Sequence, residues 1–224
     1  MGIELAKVRD GTVANNSVWS VTGGAGGPGG DATALRVAGS AASVLNNTLY
    51  SANGGPAGWP EARPGKSRGL WLAEAANALV ANNALVSHGV GVCSASSAAR
   101  LDHNDLWDNQ LDYEGLSAGR NDLHVAPRLV DAENGDFHLR ADSPLIDAGT
   151  NRPALTEDFE AHPRPLDGDY DCVPTTDIGA DEYWPPPGEC TAREQFVPEP
   201  ASLLLLGAGL VGLAGYGALR WRRS

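Results

Sequence analysis

The chain has 224 residues, a net charge of −12, and 28 glycines and 15 prolines against an aromatic content of 6%. That length allows one domain and a tail, and the glycine and proline favour turns and short strands over long helices. The last 28 residues carry one Glu and three Arg, leaving −14 on the remainder; such a body repels nucleic-acid phosphates, which excludes that partner, and stays soluble if exported.

Four units recur in the first 120 residues. Each pairs an alternating apolar dipeptide frame, Ile3/Leu5, Leu35/Val37, Leu70/Leu72 or Val90/Val92, with an Asn-containing stretch: VANNSVW, VLNNTLY, VANNALV and LDHNDLW. Apolar residues at i and i+2 share one face of a strand. Two such strands per unit predict the coils of a parallel β-solenoid, with Asn16, Asn47, Asn83 and Asn104 stacked so that their amides bond along the column. No 3.6-residue period runs through these units, so helices are excluded. A β-sandwich is the structural alternative, and it leaves the repeated Asn unexplained.

From Ile3 to Leu35 is 32 residues and from Leu35 to Leu70 is 35, but from Leu70 to Val90 only 20. The surplus lies in two insertions after the Asn strand, TGGAGGPGGDAT and ANGGPAGWPEARPGKSRG, which stacked coils place side by side on one face. The second carries Trp59, Arg63, Lys66 and Arg68, an aromatic ring beside cations that suits a polysaccharide. The competing reading is a loop without a ligand. His88 reads as a turn residue at a coil end, and Asp102 and His103 as exterior and turn positions. No catalytic residue is assigned.

The first unit begins almost at Met1, and MGIELAKVRDGTVANN contains no apolar h-region. A solenoid end needs a cap, so the reading expects further coils upstream and an N-terminal truncation.

Beyond residue 120 the text changes. Asn134-Gly135 marks a turn between strands at 129–130 and 137–139, and dense Pro, Asp and Gly suggest loops that close the last coil. PRLVD (127–131), SPLIDAG (143–149), Arg164-Pro165 and DIGADEY (177–183) resemble the C-terminal region of bacterial right-handed parallel β-helix proteins of the pectin-lyase-like superfamily, which commonly precedes one of several interchangeable anchors. The resemblance covers 121–184. It implies an all-β fold with a loop-rich C-terminal cap, and polysaccharide lyases or hydrolases as functional relatives, although their catalytic signatures are not recognisable in this chain.

Asp167, Asp169 and Asp171 alternate in LDGDYDC and suggest a calcium loop; a solvated acidic loop is the alternative. Cys172 and Cys190 flank a Pro-rich segment and are candidates for a disulfide outside the cytoplasm. Cys93 reads as a small buried residue.

A Pro-rich linker, 185–196, leads to the tail. Residues 201–219 carry no charge and, as a helix, span about 28 Å of a roughly 30 Å hydrocarbon core. Arg220, Arg222 and Arg223 hold the far end on the cytoplasmic side, which places the body outside. Val197-Pro198-Glu199-Pro200 fixes an extended entry. These three parts in order resemble the PEP-CTERM sorting signal of Gram-negative bacteria. That resemblance implies an exosortase partner, a transient single span of the inner membrane, and delivery to the envelope or outside. The function expected is a structural or carbohydrate-binding envelope protein, with a fragment of a polysaccharide lyase or glycoside hydrolase as the alternative.

Overall fold

The computed structural model describes residues 1–190 except 7–9, 39–41, 74–76, 96–97 and 154. The chain divides into a body, Met1–Cys190, and a second unit, Thr191–Ser224. The second unit lies outside the described residues, and with it the expected membrane helix and the second half of the linker. Among the described residues no helix is long and apolar enough to cross a membrane.

Each coil contains three short strands. β1 (Ile3–Ala6), β2 (Thr12–Ala14) and β3 (Ser17–Trp19) form the first, and β4 (Ala32–Ala38), β5 (Ser43–Leu45) and β6 (Thr48–Tyr50) the second. β7 (Ser67–Ala73), β8 (Leu79–Ala81) and β9 (Ala84–Val86) form the third, and β10 (Val90–Ser94), β11 (Arg100–Asp102) and β12 (Asp105–Trp107) the fourth. β13 (Leu111–Glu114) begins another turn. Equivalent strands pair in parallel, in the orders β1-β4-β7-β10-β13, β11-β8-β5-β2 and β12-β9-β6-β3. This all-β arrangement of stacked parallel sheets fits a β-helix.

Three strands per coil replace the two expected from sequence. Asn-Asn does not lie within a strand but forms a corner between two. Its first residue takes the left-handed conformation at Asn15, Asn46, Asn82 and His103, with φ of 55°, 49°, 56° and 52°. Asn adopts that region more readily than other residues with a side chain. Five residues later a second corner uses Ser20, Ser51, Ser87 and Asp108 in the same way.

Ile3, Leu35 and Leu70 share a column, as their spacing predicts. The next step differs: Val92, not Val90, stands opposite Leu70, and Val90 stands opposite Arg68. The slip sets Gly91 beside Gly69. A Cβ on Gly69 would approach the His88 ring to 2.7 Å, and one on Gly91 would approach Leu106 to 2.9 Å. Both positions therefore meet interior side chains closely. Leu35, Leu70, Leu72, Leu85, Val80 and Val92 are fully buried in the solenoid core, each contributing about 1.5–3 kcal/mol of burial.

The second Asn of each corner builds the ladder. Asn16 Nδ2 donates to Asn47 Oδ1 at 2.9 Å, Asn47 to Asn83 at 2.8 Å, and Asn83 to Asn104 at 2.9 Å. Each backbone N–H of the first three donates to the same oxygen as its side chain. Asp122 ends the run, its Oδ1 accepting from the N and Nδ2 of Asn104. Aligned amide dipoles thus point their donor end at a carboxylate, where charge strengthens the bond.

Residues 121–184 do more than close the last coil. Leu123 pairs with Asp105, and then the chain turns back along the outside of the sheet that contains β3, β6, β9 and β12. β14 (Leu129–Asp131) and β15 (Asp136–Leu139) form the expected antiparallel pair, with a 3₁₀ turn at Ala132–Asn134 and Gly135 at φ 88°. Phe137 meets the rings of Trp19 and Tyr50 at 5.5 and 5.9 Å. Ile178, Leu145 and Leu139 bury a second small core with Ala84. The outer corner residues are reached as well: Asn15 Nδ2 donates to Glu157 O, Asn46 Nδ2 to Asp177 O, and Asn82 Nδ2 to Thr150 O. The segment is a flank running from the last coil to the first, because the outer face of that sheet offers apolar and amide groups needing cover.

Candidate functional site

The two insertions leave equivalent corners and lie side by side. Thr22 bridges Asn53 in parallel. Gly55 N donates to Gly30 O at 2.8 Å, Gly65 N to Gly55 O at 2.9 Å, and Gly29 N to Arg63 O at 2.9 Å. A Cβ on Gly29, Gly55 or Gly65 would collide with a neighbouring backbone carbonyl, so these glycines permit direct backbone-to-backbone packing. The insertions are therefore hydrogen-bonded to one another.

Their four proposed ligand residues do not converge. Trp59 is 56% exposed, and Arg63 and Lys66 are exposed. Arg68 is buried: its Nη1 bonds Asp31 Oδ2 at 3.0 Å and its guanidinium lies 4.9 Å from the Trp71 ring centroid. Arg36, paired with Glu4, approaches that same ring at 4.8 Å. The Lys66 backbone N–H, with help from Arg68, holds the Asp31 carboxyl below its usual range. Arg68 thus supports the sheet instead of joining an exposed ligand set.

Beside the insertions lies a groove of about 720 Å³, lined by Lys66, Ser67, Gln110, Asp108 and Glu114 among others. Trp59, Arg63 and Arg68 are not in its lining. Asp108 Oδ2 accepts from Ser87 Oγ at 2.8 Å.

His88, at the groove's floor, is a ladder residue. Its Nδ1 accepts from Ala52 N at 3.1 Å, which places its proton on Nε2, facing Leu49 O at 3.0 Å. Asn109 repeats the pattern one coil on, accepting from His88 N and donating to Leu85 O. Burial pushes the His88 imidazole down to about 4, so it is neutral. The sequence clue was available: His88 and Asn109 each stand five residues after a ladder Asn. His103 takes the left-handed corner position, its Nδ1 2.9 Å from Asp102 Oδ1.

The acidic loop assembles differently from its sequence spacing. Carboxylate oxygens of Asp147, Asp167 and Asp169 lie within 4.8 Å of one another; Asp171 is not in this set. Asp171 Oδ1 instead accepts from Val173 N, while Asp167 accepts from the backbone N–H groups of Asp171 and Cys172. Cys172 and Cys190 are joined as a disulfide with Cα atoms 5.0 Å apart, and Cys93 is free and buried. Burial pushes the Cys93 thiol up to about 11, which keeps it protonated.

A buried ionic cluster in the flank escaped sequence reading. Arg164 Nη1 lies 3.5 Å from Glu182 Oε2, with both side chains fully buried, and Arg164 Nη2 donates to Gly179 O and Ala180 O. Asp158, Asp177 and Asp181 are buried around them. Burial pushes the Asp177 and Glu182 carboxyls upward, and the Glu182 charge adds to the rise at Asp177. The signal was there in Arg164-Pro165 and DIGADEY, but only the fold brings them together.

The sorting residues Val197, Pro198, Glu199, Pro200, Arg220, Arg222 and Arg223 lie outside the described residues. They fall within or at the edge of the PEP-CTERM protein-sorting motif, which matches residues 196–223. Such a motif is a C-terminal, membrane-anchored sorting signal recognised by an exosortase, and it marks an extracellular or envelope protein. No curated protein and no solved structure matches the chain.

Proposed function

We propose that this protein is a right-handed, pectin-lyase-like β-helix exported across the inner membrane of a Gram-negative cell and processed there by an exosortase, to serve a structural or carbohydrate-binding role in the envelope or matrix. The match over residues 196–223 carries the sorting part. Stacked parallel sheets support the helix type, and nearly all parallel crossovers are right-handed. The open groove and the exposed Trp59 support a glycan surface, since aromatic faces and polar linings together hold sugars in place.

Sorting is tested by expressing the chain behind an export signal in a host with an exosortase. Pro198→Ala with Glu199→Ala should leave the protein full-length in the inner membrane, whereas the wild type is processed and leaves it. Release of the double variant at normal size would reduce the tail to an ordinary anchor.

A second reading, a lyase or hydrolase fragment, is favoured by Asp108 and Glu114, which both line the groove. Release of new chain ends from a polysaccharide by the wild type, lost in Asp108→Asn, would decide for it; no release would decide against.

A further inference from the structure

Outside the groove, three segments of the flank bring imidazole and carboxylate groups together. β15 supplies His138, the turn after Asp158 supplies Glu160 and His162, and the stretch after Gly179 supplies Asp181. His138 Nε2 lies 3.0 Å from Glu160 Oε2. One ligand atom from each of His138, Glu160 and Asp181 falls within 4.8 Å of the other two. Tetrahedral zinc with bonds of about 2.0–2.2 Å spaces its donors roughly 3.3 Å apart, so small side-chain rotations bring all three to that spacing.

The surroundings prepare His138 for this role. Its Nδ1 lies 2.6 Å from Asp136 Oδ1. A carboxylate behind an imidazole holds the proton on the near nitrogen and presents the far one as a lone pair. Here the far nitrogen is Nε2, which faces Glu160. Phe159 lies against the ring at 5.4 Å. Asp181 is 4% exposed and is fixed by Leu139 N, which donates to its Oδ2 at 2.7 Å.

A separate observation points the same way. His162 Nδ1 is buried without a hydrogen-bond partner, 3.9 Å from Glu160 Oε2 and 3.4 Å from Asp158 Oδ2. Its ring rests on Trp184 at 5.1 Å. A protonated His138 held between Asp136 and Glu160 would account for that trio alone; it gives no hydrogen bond to His162 Nδ1, whose 3.4 Å contact with Asp158 lacks that geometry although the side chain is 37% exposed.

We infer that His138, Glu160 and Asp181, with His162 (3.9 Å from Glu160 Oε2) available as a fourth donor, form a site for a divalent cation of the zinc class that fastens β15 to the turn at 158–162. Mixed imidazole and carboxylate donors suit zinc and its neighbours, whereas calcium prefers the all-oxygen set at Asp147, Asp167 and Asp169. The site is structural in kind: it ties together segments of the flank that share no strand pairing.

The test titrates zinc into the metal-stripped full chain in detergent micelles, read by calorimetry and by melting temperature. One zinc should bind per chain and raise the melting temperature. His138→Gln and Glu160→Gln should each weaken binding by about tenfold or more, and Asp169→Asn should leave it unchanged. Absent saturable binding, equal binding by His138→Gln, or loss in Asp169→Asn would each overturn the site. If a variant misfolds by circular dichroism, ¹⁵N spectra of the wild type decide: a zinc-dependent shift of His138 Nε2 upholds the assignment, and an unmoved signal overturns it.

Discussion

In the coils, the buried polar column at the Asn corners consists of neutral amides bonded to one another, with Arg68, His88 and Asp105 buried elsewhere in the strands and corners, while along the flank the buried groups are mainly carboxyls gathered around Arg164. The contrast follows from the backbone. Coil strands satisfy their own N–H and C=O groups in parallel ladders, so only the corners need help, which the Asn column and the His88/Asn109 positions supply. The flank from 140 to 184 has almost no strand pairing, and its buried N–H groups need acceptors. Asp158 accepts from the backbones of Glu160, His162 and Glu182. Asp177 accepts from Asp147 and Tyr183, and Glu182 from Leu166 and Asp177. Such bonds are worth about 0.5–3 kcal/mol each, with the upper end for an ionised acceptor, and together they hold an irregular chain in place. The lesson is that repetition lets a fold fill its corners with stacked amides, whereas an irregular backbone draws on carboxyl side chains as acceptors.

Breaking the flank's charge balance should have the largest effect. Arg164→Met leaves several buried carboxylates uncompensated and should cost about 3–5 kcal/mol in urea denaturation of the full chain. A loss below about 1 kcal/mol would mean the carboxylates need no counter-charge, and the contrast between the regions would fail.

The next effect belongs to the coils and depends on acid. The folded value of His88 lies near 4, below the ordinary 6.5, so folding disfavours its protonated form. Its contribution is therefore intact above about pH 6.5 and is lost as pH falls towards 4, by roughly 3 kcal/mol in all. His88→Asn should retain the ladder, since Asn109 fills the equivalent place, while abolishing this loss. A wild-type minus variant stability difference that stays constant from pH 7 to pH 4 would refute the neutral-ladder account.

The smallest effect sharpens the ladder itself. Asn83→Leu removes the acceptor for both donors of Asn47 and the donor to Val44 O and Ala81 O. It should cost about 1–3 kcal/mol, with little change in the circular dichroism of the remaining strands. A neutral result at this fully buried position would show that neighbouring coils hold register without the amide column.

The sequence by itself determined the parallel β coils, the column of Asn16, Asn47, Asn83 and Asn104, the adjacent insertions, the turn at Asn134-Gly135 and the sorting tail. All of these are local patterns or repeats, and a repeat declares its own alignment because equivalent residues stack. Tertiary structure decided the rest. It split the Asn stretch into two strands, because a left-handed corner is a backbone state that composition only permits. It moved Val92 opposite Leu70, a register that the spacing of apolar residues alone does not give. It took Arg68 out of the proposed ligand set and Asp171 out of the acidic cluster, and put Asp147 beside Asp167. It also turned the expected cap into a flank, with Arg164, Asp177 and Glu182 in one buried cluster. Those residues carry no repeat or local period that would pair them, and what joins them is the need of an irregular backbone, packed against the coils and away from water, for partners that no repeat provides.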